Sequence, residues 1–161
     1  MTRVFSPLHS SKEPGHAAMA RPGGFFGRGL AGACVYAANE HLVHRSPDRT
    51  ARSALFGFVF FGPACQAYYP LVDRLCSGPL QKMALDQTAW SGVWNTAYFA
   101  CHDHDLSRCL ANGAAATRQG WAVWPAVHAV TYTLVPVRAR AAWVLACDAV
   151  WIHHVSRMAK R

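Results

Sequence analysis

The sequence predicts an all-α, polytopic transmembrane helical bundle, and three observations carry that reading. Hydrophobic residues make up 52% of the 161-residue chain and charged residues only 15%, against about 25% in ordinary soluble chains. Residues 53–72 hold no charged side chain, bounded by Arg52 and by Asp73-Arg74, and that is the length that crosses ~30 Å of hydrocarbon. The basic residues lie between apolar runs and at the two ends rather than in one stripe, as basic residues flanking membrane spans do.

The elements follow in order. Residues 1–22 carry Arg3, Lys12 and Arg21 with several Ser and His and no apolar run of secretory-signal length, so they form a disordered or targeting tail. Residues 23–156 form a single membrane-embedded helical domain. Its first span, 23–43, places Gly29, Ala33 and Ala37 four residues apart, a groove of small side chains that lets another helix approach closely. The second, 53–72, contains Gly62-Pro63, a pair that membrane helices tolerate where neighbours satisfy the freed carbonyls.

Residues 83–101 form the third span, with Asp86 near its start, and 102–119 form a polar connection. The fourth, 120–137, opens with Trp121 and Trp124 and closes at Pro136. Residues 141–155 are short for a crossing, so about four spans plus a short C-terminal interfacial or spanning helix are expected, followed by the basic tail 157–161. With that segment at the interface, eleven of the sixteen Lys and Arg fall on one side. This bias favours both termini on that side.

Six scattered cysteines without a C-x-x-C pair argue for reduced packing residues rather than a disulfide framework. The net charge of +8, without aromatic residues interleaved in a basic stripe, argues against direct nucleic-acid binding. There is no G-x-S-x-G, P-loop, H-E-x-x-H or dinucleotide fingerprint. The cluster Cys101-His102-Asp103-His104-Asp105 with Cys109 fits no common zinc spacing and reads as a solvated loop. No enzymatic activity, cofactor or metal is expected.

Ionisable groups inside apolar runs are costly unless they face a partner or water. Glu40, beside His41 and His44, is read at a membrane edge, and Asp148 as placing the last segment in the interface. Asp86 has two readings. It pairs with Lys82 one turn earlier, or Asp86-Gln87 faces a polar pathway between helices. A conducting bundle would bring Asp86, Gln87, Gln66 and Asn95 to a shared interior.

In chain order, Gly62-Pro63, Tyr69, Asp73, Lys82, Asp86-Gln87, Trp90, Trp94-Asn95, Trp124-Pro125-Ala126, Val135-Pro136, Arg140 and Trp151 resemble the pattern of the Mpv17 and peroxisomal membrane protein family, over roughly residues 29–156. The chain departs from that pattern at Asn39-Glu40, His44, Gln66, Tyr68, Gly92 and Thr131-Tyr132, and in a shorter connection before Trp121. The resemblance implies structural roles for Gly62, Pro63, Tyr69, Asp73, Trp124, Pro125, Pro136 and Trp151. It further implies an organellar membrane protein, with the mitochondrial inner membrane favoured and a peroxisomal or plastid membrane as the alternative. The function implied is a channel for small solutes or metabolites linked to redox and organelle homeostasis; the rival is a non-conducting scaffold for partner proteins. The expected partners are the lipid bilayer, small solutes if the protein conducts, and a second copy of the chain as a possible homo-oligomer.

Overall fold

Each apolar run becomes a helix, and Pro, Gly or a capping side chain marks most of the boundaries. The structure, a computed structural model, describes residues 22–159; the expectations for residues 1–21 and for Lys160 and Arg161 lie outside the described residues. Six helices result: α1 (Pro22–His44), α2 (Pro47–Leu75), α3 (79–100), α4 (Leu106–Gly120), α5 (Trp124–Thr133) and α6 (Val137–Met158). The described residues are all-helical outside the short turns, with no strand among them.

Helix α1 turns into α2 through Arg45, whose φ of 53° is uncommon for a residue with a Cβ. Ser46 caps α2 and Pro47 occupies its first turn, where a missing N–H costs nothing. Pro63 falls inside a wider turn of α2, Phe60–Ala64. Its ring removes one ladder donor, and the chain accommodates this by widening rather than breaking. A second wide turn, Asp86–Trp90, interrupts α3. Pro79 opens α3, Asp105 caps α4 by accepting from the Ser107 and Arg108 N–H groups at 2.9 and 3.2 Å, and Pro125 sits in the first turn of α5.

Contacts along the helices fix the topology. Helices α1 and α6 are parallel: Arg28 reaches the Arg138 carbonyl, Tyr36 reaches Asp148, and His44 reaches the Ser156 carbonyl. Helices α4 and α5 follow one another antiparallel to α3, since Thr117 meets Asn95, Trp121 meets the Gln87 carbonyl and Tyr132 meets Asp86. Arg140 near the start of α6 meets Asp73 near the end of α2. The start of α1 and the end of α6 therefore lie at opposite ends of the bundle.

Three expectations need correction. Residues 102–119 are not a polar connection; most of them form α4, whose Gly113 lets it lie directly on Thr96 of α3. The fourth span is not one helix over 120–137, because α5 has only 10 residues, about 15 Å at 1.5 Å per residue. The last segment is not short, because α6 has 22 residues and runs the length of the bundle, which also removes the basis for placing both termini on one side. Among the described residues, Pro47–Leu75 is the one helix apolar and long enough to cross a bilayer by composition. Helices α1, α3, α4 and α6 carry ionisable groups, and α5 is too short.

The carboxylates within α1, α3 and α6 point inward. Glu40 is 0% exposed, Asp86 1% and Asp148 3%, whereas Leu42 is 70% exposed and Val150 78%. Leu30, Leu55, Leu71, Val93 and Leu110 are also exposed. Around a core of buried aromatic and aliphatic side chains, exposed apolar residues together with buried carboxylates are compatible with a hydrocarbon surround.

Candidate functional site

The interior carboxylates are held largely by phenols. At one end, Glu40 accepts from Arg49 Nε at 2.6 Å, Tyr98 Oη at 2.5 Å and Ser156 Oγ at 2.7 Å, so α1, α2, α3 and α6 meet on one carboxylate. It is not at a membrane edge in the sense of being solvated; four helices bury it. Farther along, the Tyr36 hydroxyl donates to Asp148 at 2.5 Å. Asp148 is thus a packing partner of α1 rather than an interfacial marker. Asp86 accepts from Tyr68 and, at 2.6 Å, from Tyr132. At the other end Asp73 accepts from Lys82 and from Arg140 Nη1 at 2.8 and 2.9 Å.

Lys82 therefore pairs with Asp73 and not with Asp86, which removes the first of the two readings of Asp86. A buried carboxylate without a hydrogen-bonding partner would be costly. For Asp86 and Asp148 the phenols supply that partner and leave the carboxylates lining open space.

That space is a cavity of about 40 Å³ between α2, α3, α5 and α6, room for roughly two or three waters. Asp86, Gln87, Ser91, Asn95, His128 and Asp148 line it together with Trp90, Trp94, Trp124 and Trp151. Both amide atoms of Gln87 are buried without a hydrogen-bond partner, and so is His128 Nδ1. His128 Nδ1 lies 3.1 Å from Asp86 Oδ2, but off the line of a hydrogen bond. Asn95 is anchored through Nδ2, which donates to Thr117 Oγ1 at 3.1 Å.

Asp86, Gln87 and Trp90, all in the wide turn, line the same cavity. Of the four residues expected to converge, Asp86, Gln87 and Asn95 meet at the cavity. Gln66 does not line it; its amide lies near Gly24 of α1.

The residues with implied structural roles are placed as follows. Gly62 and Pro63 form part of the wide turn of α2, where Gly62 faces the Gly29 backbone. Tyr69 is buried against Tyr68, with ring centres 5.5 Å apart. Trp124 begins α5, followed by Pro125, and stacks on His128 at 5.4 Å. Trp151 meets Trp124 edge-on at 6.2 Å, and Pro136 precedes α6.

The reading of the sequence missed His128, Tyr68, Tyr132 and Tyr36. A signal existed for two of them: Trp124, His128 and Tyr132 recur every four residues, one face of a helix, and all three are buried. Outside the helices, His102 Nε2 meets Ser53 Oγ at 3.0 Å, and burial pushes its imidazole down to about 4. Of the acidic residues beside it, Asp103 pairs with Arg108 at 3.1 Å, and Asp105 caps α4.

The described residues form an all-helical bundle with many apolar side chains on its surface and a carboxylate-lined interior, and one of its helices is long and apolar enough to cross a membrane. The sequence profile of the Mpv17 / PMP22 family matches residues 112–156, a stretch from mid α4 through α5 and most of α6. The mitochondrial inner membrane protein Mpv17 of Danio rerio is 25% identical over 133 residues, covering 74% of this chain and 75% of the relative. That of Xenopus laevis is 26% identical over 140 residues, with 74% and 75% covered. No solved structure matches. The chain is thus similar to the Mpv17 / PMP22 family over residues 112–156 and, at 25 to 26% identity, to these two mitochondrial inner membrane proteins over 74% of its length.

Proposed function

We propose that this protein is a gated passage for small polar solutes or ions across an organellar membrane. The observation that carries the reading is the convergence of Asp86, Gln87, Asn95, His128 and Asp148 on one cavity inside an apolar-surfaced bundle. Helices α1, α2 and α3, the broken pair α4–α5, and α6 make five crossings in this reading. The broken fourth crossing brings its wet side chains to mid-depth, where irregular backbone is tolerated only beside protein or water. At about 40 Å³ the cavity is a closed conformation of the passage, and opening requires α5 or α6 to move.

Flux through liposomes containing the purified full chain tests the reading. Cation flux is expected, with its cation preference lowered in Asp86→Asn while insertion is retained. Five crossings also place tags at the two ends on opposite sides of the membrane; equal protease protection of both would refute them. The small size of the cavity supports one rival, a sealed scaffold for partner proteins, and that rival is left standing if no conductance appears under any condition.

A further inference from the structure

A groove of about 770 Å³ runs between the C-terminal ends of α1 and α6 and the flank of α4. Its polar wall holds Asn112, Gln119, His154 and Arg157, and its apolar side holds Leu42 and Met158. No Asp or Glu lines it. His154 Nε2 lies 2.6 Å from Gln119 Oε1, which ties α6 to α4 and fixes the wall.

We propose that this groove binds the phosphate headgroup of an anionic phospholipid. The argument rests on charge that is not compensated. The adjoining depression, which shares Asn112 and Met158, also contains Arg49 and Arg108, but Arg49 is bonded to Glu40 and Arg108 to Asp103. Arg157 is exposed and has no hydrogen bond or ion pair among the described residues. A guanidinium matches phosphate oxygens bidentately. On the apolar side of the same groove, exposed Leu42 offers surface for the glycerol and the first acyl methylenes.

A diacyl phosphate fits both sides of the groove. A soluble anion uses only one, and a second copy of this chain brings the same excess of positive charge, +8 for each copy. Basic pockets between membrane helices near the bilayer surface are a recurring form of such recognition.

The test uses the full chain purified in neutral detergent, with bound lipid counted by native mass spectrometry. Phosphatidylglycerol, phosphatidylcholine and inorganic phosphate are titrated separately. Phosphatidylglycerol is expected to bind more tightly than phosphatidylcholine, and Arg157→Gln to weaken it by about fivefold, the ratio that one basic residue near a membrane surface gives. Arg74→Gln, which removes an exposed charge at the opposite end of the bundle, should leave binding unchanged. Equal binding of the two lipids, equal loss in both variants, or displacement of the lipid by millimolar inorganic phosphate would each overturn the assignment.

Discussion

The α1–α2 contact and the interface of α3 with α5 and α6 hold the same bundle together by opposite means. Between α1 and α2 the chain removes side chains. Gly32 lies on the Gly57 carbonyl, Gly29 lies against Phe58, and Gly62 faces the Gly29 backbone. Around α3 the chain instead adds large polar side chains and satisfies them mutually, with Tyr68 and Tyr132 on Asp86 and Lys82 and Arg140 on Asp73. Where lipid removes the hydrophobic drive between helices, association comes from close packing or from interhelical hydrogen bonds. The first device dominates where α1 meets α2, and the second where α3 meets the ends of α2, α5 and α6. The half built from hydrogen bonds is also the half that encloses a cavity.

The largest effect should come from refilling the glycine contact. A Cβ at Gly32 would run into the Gly57 carbonyl and come within 2.9 Å of Phe61 Cβ. Gly32→Ala should therefore destabilise by about 1–3 kcal/mol, the usual range for overpacking, and Gly32→Leu should prevent folding. Gly27, beside which there is open space, is the control, and Gly27→Ala should be neutral or slightly stabilising. Unfolding in mixed micelles with increasing SDS, followed by circular dichroism, reads the difference. Equal behaviour of the two alanine variants would mean that backbone contact does not hold α1 to α2.

That half was the more legible in the sequence. The run 53–72 and the small residues after Gly23 announced a close helix pair, although the contact uses Gly29 and Gly32 where a four-residue repeat through Ala33 and Ala37 was expected. Composition reads apolar length directly, and register is finer than composition resolves. The other half was legible at Asp86, Gln87 and Asn95 and opaque elsewhere.

Glu40 and Asp148 looked like boundary markers because a charge in an apolar run usually is one; only tertiary structure reveals that Tyr98, Ser156 and Tyr36 satisfy them. Residues 102–119 looked like a loop because α4 has a polar face, and α6 looked short because Asp148 and Arg140 interrupt its hydropathy. Glu40, Asp148 and Arg140 are each buried against a partner distant in sequence, whereas the charges of α4 lie on its exposed face.

The second effect breaks the hydrogen-bonded half. Asp86→Ala removes the acceptor of the buried Tyr68 and Tyr132 hydroxyls, at up to about 1–3 kcal/mol for each donor left unpaired. Asp86→Asn retains one carbonyl oxygen and should recover part of that loss. The same micelle titration measures both variants, and crossing each with Tyr132→Phe separates the pairwise coupling. Additivity of Asp86→Ala with Tyr132→Phe would show that the phenol does not depend on the carboxylate.

The smallest effect lies in the connection between α3 and α4, where neither device operates fully. His102 packs against the Tyr98 ring with centres 5.0 Å apart and meets Ser53 through Nε2, while its Nδ1 is buried without a partner. Burial holds the imidazole down at about 4, below its ordinary value near 6.5. Between those two values the unfolded chain takes up a proton that the folded chain does not, so this residue should lower stability as pH falls from about 6.5 toward 4, with no further loss below that. Because His102 is only partly buried, the drop should be about a few degrees in Tm at most. The His102→Gln variant keeps a hydrogen-bonding group beside Ser53 and removes the titration. Thermal unfolding of both proteins at pH 7.5, 6, 5 and 4 should show the variant gaining on the parent as pH falls; a constant gap between them would mean that His102 is as accessible to protons in the folded bundle as in the unfolded chain.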